Sequence, residues 1–161
     1  MLDTVFGLPM HPLIVHATVV LVPLAALLVA LAAVQGRFRS WIGPVAPVAA
    51  VLACGLVPLS TGSGEELEHH VGESSLVQRH ADLAGTLIWF VIPLAVVAVA
   101  EYWLHRSHSN SRGLVVAVAA ASVLLAGATL VDVVLIGHSG AKASWSGVTN
   151  QTSTSSPTGG D

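Results

Sequence analysis

The chain has 161 residues, 53% of them hydrophobic and 9% charged, with a net charge of −3. Soluble domains are about a quarter charged, so a soluble core is excluded and no nucleic-acid partner is expected. The runs Ala17–Val34, Ile42–Leu59, Leu83–Ala100 and Leu114–Val131 contain no Asp, Glu, Lys or Arg.

Each run is about 18 residues, close to the length that crosses roughly 30 Å of hydrocarbon as a helix. The predicted fold class is therefore all-α: a polytopic membrane protein, a four-transmembrane-helix bundle. The bundle fills residues 1–145, with a short polar outer segment between helices 2 and 3. Residues 146–161 are rich in Ser, Thr and Gly and read as a disordered tail. No repeat of fixed period is visible. No basic region precedes the first run, so the N-terminus does not read as a secretory signal.

In chain order, Met1–Met10 is a lead-in. The first span opens at Pro12, which suits a first helical position, and runs to Val34 with Pro23 inside it. Gln35–Ser40 is a tight connection carrying Arg37 and Arg39, and Trp41 is an interface anchor. The second span runs from Ile42 to Ser60. Its single cysteine, Cys54, can form no intramolecular disulfide and packs as a small apolar residue. Ser60–Gly64 reads as a turn, and Glu65–Glu73 as a helical turn or two at the surface. Ser74 and Ser75 are good caps for a third helix that continues to Leu104. His105–Gly113 is the next loop. The fourth span runs from Leu114 to Gly137 with Asp132 inside it, the one carboxylate expected within a span.

Arg37, Arg39, Arg106 and Arg112 sit in the two short loops that share one face. The positive-inside tendency makes that face cytoplasmic and both termini extracytoplasmic, in a multi-pass cell-membrane protein. His11, His16, His69, His70, His80 and His138 then fall at the outer face. At about 1.5 Å per residue, His16 lies about 27 Å from the inner end of its span, and His80 and His138 about 36 Å from theirs. Three helices thus deliver histidines to one layer. Polar groups in a span are costly and mark function, although an interfacial histidine also satisfies itself with water or a carbonyl.

Neutral imidazole ligates transition metals and is the axial ligand of b-type haem. For haem b, the candidate ligands are His16 with His80 or His138. Ala17, Ala84, Gly85, Gly137 and Gly140 leave room for the ring. For a divalent transition metal, the candidates are His11, His16, His80 and His138, with Glu66 and His69 as a capture pair. Asp82 and Asp132 are supporting groups. Asp132 could orient a histidine, relay a proton or bond a hydroxyl such as Thr18 or Thr129. No phosphate loop and no Gly-x-Ser-x-Gly elbow occurs.

His11-Pro12-Leu13-Ile14-Val15-His16 at the first span, Thr61-Gly62 closing the second, His80 opening the third and Gly137-His138 closing the fourth resemble the bacterial membrane domain of unknown function 2231. The resemblance covers roughly Leu8 to Trp145. Some members are fused to Rieske-type iron–sulfur domains, which implies a redox role for the membrane part. This chain has no Rieske Cys/His box, and Ser139-Gly140-Ala141-Lys142 follows the last histidine where a more apolar run is expected.

Three readings follow. The first is an electron-transfer protein holding haem b, working with a quinone or a separate redox protein. The second is a metal-binding or metal-handling membrane protein, and the third a structural membrane subunit. In the first two the chain is an electron-transfer or binding protein rather than an enzyme.

Overall fold

The computed structural model describes residues 4–5, 8–71, 74–107 and 111–154, with side chains for 11–66, 74–107 and 111–145. A two-residue antiparallel ladder, β1 (Thr4–Val5) with β2 (Leu8–Pro9), precedes the helices. These are α1 (Met10–Val34), α2 (Gly36–Ile42), α3 (Val45–Val71), α4 (Ser75–Thr86), α5 (Ile88–Arg106) and α6 (Arg112–Thr154). Among the described residues, four segments are long and apolar enough to cross a membrane: His11–Val34, Val45–Glu66, Ser75–Arg106 and Arg112–Trp145. The fold is an all-α membrane bundle in which each span packs against the next one around the ring. In hydrocarbon, a helix satisfies its own backbone, which explains why these apolar runs are helical over nearly all their length.

The termini of the elements follow local chemistry. Ser74 caps α4 by accepting the Val77 amide at 3.2 Å, as the sequence leads one to expect. α4 and α5 form one span with a tight turn at Leu87, where the Leu87 amide reaches the Ala84 carbonyl at 3.4 Å. Gln35–Ser40 is not a plain loop, because Gly36–Ile42 forms a short helix. Gly43 ends it with φ +48°, a conformation that favours glycine.

The largest departure from expectation is at Ser60–Gly64. It is no turn: α3 passes straight through it and on through Glu65–Val71. Its polar side chains bond back to their own helix. The Thr61 hydroxyl reaches the Val57 and Pro58 carbonyls and the Ser63 hydroxyl the Ser60 carbonyl, so the glycines face no competing turn geometry. α6 likewise continues past Trp145 to Thr154, into the segment that composition assigns to a tail.

The bundle also contains a repeat that the sequence does not display. On the first span Thr18, Val22, Ala25, Ala26, Val29 and Ala32 are buried; on the third, at identical spacing, Leu87, Val91, Leu94, Ala95, Ala98 and Glu101 are. On the second span Ala46, Ala50 and Ala53 are buried, and on the fourth Ser122, Ala126 and Thr129 are. The spans of residues 10–71 therefore use the same inward faces as those of 75–154. Small residues at these positions let the helices approach closely. Large apolar side chains such as Val20, Leu24, Leu124 and Val134 point outward, as a lipid-facing surface requires.

Candidate functional site

The inward registers place one histidine and one serine of each half together. His11, seven residues before Thr18, meets Ser63 of α3, with His11 Nδ1 3.0 Å from Ser63 Oγ. His80, seven residues before Leu87, meets Ser139 of α6, with His80 Nδ1 3.0 Å from Ser139 Oγ. Both histidines are half-buried, and His80 lies within electrostatic range of His11.

The hydrogen bonds favour the same tautomer in both rings. Ser63 Oγ is 2.9 Å from the Ser60 carbonyl and Ser139 Oγ is 2.8 Å from the Ile136 carbonyl. A carbonyl only accepts; with each hydroxyl's single proton given there, the serine accepts from its histidine and Nδ1 carries the hydrogen. A neutral ring of this kind keeps a lone pair on Nε2. This is the device by which a ligating histidine is normally oriented, one nitrogen held and the other available. Glycine completes each cradle. A Cβ on Gly64 would come within 3.1 Å of the His11 ring and one on Gly140 within 3.0 Å of the His80 ring.

His16 is exposed, and its Nδ1 donates to the Pro12 carbonyl of its own helix. His138 and Asp82 are exposed. Asp132 is buried and accepts the Thr86 hydroxyl at 3.2 Å, rather than that of Thr18 or Thr129, which bond to carbonyls of their own helices. Glu66 is exposed, and the side chain of His69 lies outside the described residues. No group of three or more His, Cys, Asp or Glu converges as a metal cluster among the described residues.

At the opposite end lies a second polar site that sequence reading missed. Glu101 is 4% exposed, so Asp132 is not the one carboxylate within a span. Its Oε2 accepts the Ser122 hydroxyl at 3.2 Å, and its Oε1 lies 3.7 Å from Arg39 Nη1. Arg39 Nη1 also donates to the Ala32 carbonyl at 3.0 Å. Glu101 falls one residue beyond the charge-free run that ends at Ala100. The available signal was its spacing from the buried positions of its own helix.

No curated protein and no solved structure matches the chain. The family model described as a predicted membrane protein, domain of unknown function 2231, matches residues 7–152. With nearly its whole length inside that match, the chain belongs to this family of membrane proteins.

Proposed function

We propose that the histidine end binds b-type haem for electron transfer, with His11 and His80 as axial ligands. The observation that carries this reading is the matched pair of imidazoles, one per half, each held at Nδ1 by a serine. Haem brings four nitrogens of its own, so two imidazoles complete its coordination. A tetrahedral zinc or copper ion needs three or four protein donors. Arg37, Arg39, Arg106 and Arg112 cluster at the opposite end, which favours an extracytoplasmic haem. The electron partner would be a quinone or a separate redox protein.

The test is a visible spectrum of the full chain purified in detergent and supplied with haem. A Soret band that shifts on dithionite reduction supports the proposal. A colourless protein that carries stoichiometric metal assigns the pair to metal handling, and a protein that takes up neither is a structural subunit.

A further inference from the structure

A cavity of about 460 Å³ opens between the arginine-end termini of α1, α3 and α5. Its polar wall is Arg39, Glu101, Tyr102, His105 and Arg106, and its apolar wall includes Val29 and Ala98. Glu101 projects into it with its side chain 5% exposed, and Oε1 has no hydrogen-bond partner. The fold itself does not call for this carboxylate. In the other half the equivalent buried position is Ala32, and the position equivalent to its partner Ser122 is Ala46. A buried carboxylate in a span is costly and is kept where it meets a partner.

The cavity specifies three features of that partner. Two guanidinium groups against one carboxylate leave a surplus of positive charge, which calls for an anionic group. Oε1, which has its cation 3.7 Å away and no hydrogen bond, calls for a closer donor. The apolar wall calls for hydrocarbon. We infer that this cavity binds an aminophospholipid headgroup, with its phosphate on Arg39 and Arg106 and its primary ammonium on Glu101 Oε1. The arginine-end position places it at the depth where headgroups lie when the spans cross a bilayer. The inference is independent of what the histidine end binds.

The test uses the full chain in mixed detergent–lipid micelles, with retained lipid read by native mass spectrometry. Phosphatidylethanolamine should be retained about tenfold over phosphatidylcholine, the scale of one charge-assisted hydrogen bond. Stepwise N-methylation should erode the preference, a series that needs no variant. Glu101→Gln should abolish it, and Arg39→Ala should weaken retention of both lipids. Equal retention of the two lipids by the native chain would overturn the inference, as would preference for phosphatidylglycerol. Soluble phosphoethanolamine at equal concentration should fail to displace the lipid; displacement would assign the site to the free headgroup and overturn the lipid assignment.

Discussion

Ser63 and Ser139 do the same work in the two halves of the bundle. Each gives its proton to a carbonyl three residues back and holds a histidine from the neighbouring span at 3.0 Å. Ser63→Ala and Ser139→Ala should therefore have similar effects. Each should lower stability by about 1 kcal/mol and weaken a bound centre on the order of 10–100-fold. Thermal unfolding in detergent and haem titration measure the two.

The glycines next to these serines are constrained by contact. Gly64→Ala and Gly140→Ala should displace the His11 and His80 rings, because the new Cβ would sit 3.1 and 3.0 Å from ring atoms. Gly62 has open space around it, and Gly62→Ala should leave haem titration unchanged while stabilising α3 by up to about 1 kcal/mol. Proton NMR of the two imidazoles before and after each substitution reads the displacement.

The repeat predicts which buried polar groups the fold can lose. Asp132 occupies the place of Leu56 in the other half, counted back from the matched serines. Thr86 keeps a bond to the Leu83 carbonyl at 2.7 Å without it. Asp132→Leu should unfold within about 1 kcal/mol of the parent or be more stable, since an apolar replacement removes a desolvated carboxylate. A detergent denaturation series compares the two.

Arg39 and Glu101 should behave differently. Arg39→Ala leaves the Glu101 carboxylate buried without its cation, and should cost about 3 kcal/mol. The double variant Arg39→Ala with Glu101→Ala should recover most of that loss. The coupling from a double-mutant cycle of unfolding free energies checks it.

The four spans were legible because hydrocarbon demands long charge-free runs, and Ser74 marked its helix start unaided. Three features were hidden, each for a physical reason. Thr61–Gly64 carries turn residues, yet the helix persists because their hydroxyls bond within it and glycine lets His11 approach. Glu101 lies one residue past a charge-free run, near the end of its helix, and only the packing of α5 shows that it is turned inward. The repeat shows no constant period, because histidine and serine are 52 residues apart in one half and 59 in the other. It survives in the pattern of burial, since packing constrains which face turns inward more than which apolar residue fills it. His11 and His80 were among the histidines singled out in the sequence; that each meets a serine of the neighbouring span depended on the fold.

The most direct measurement is the reduced visible spectrum of the haem-loaded chain in four single variants. His11→Ala and His80→Ala should each lose the six-coordinate low-spin signature, while His16→Ala and His138→Ala keep it. An unchanged spectrum in His11→Ala or His80→Ala, or its loss in His16→Ala, would contradict a centre shared between the two halves.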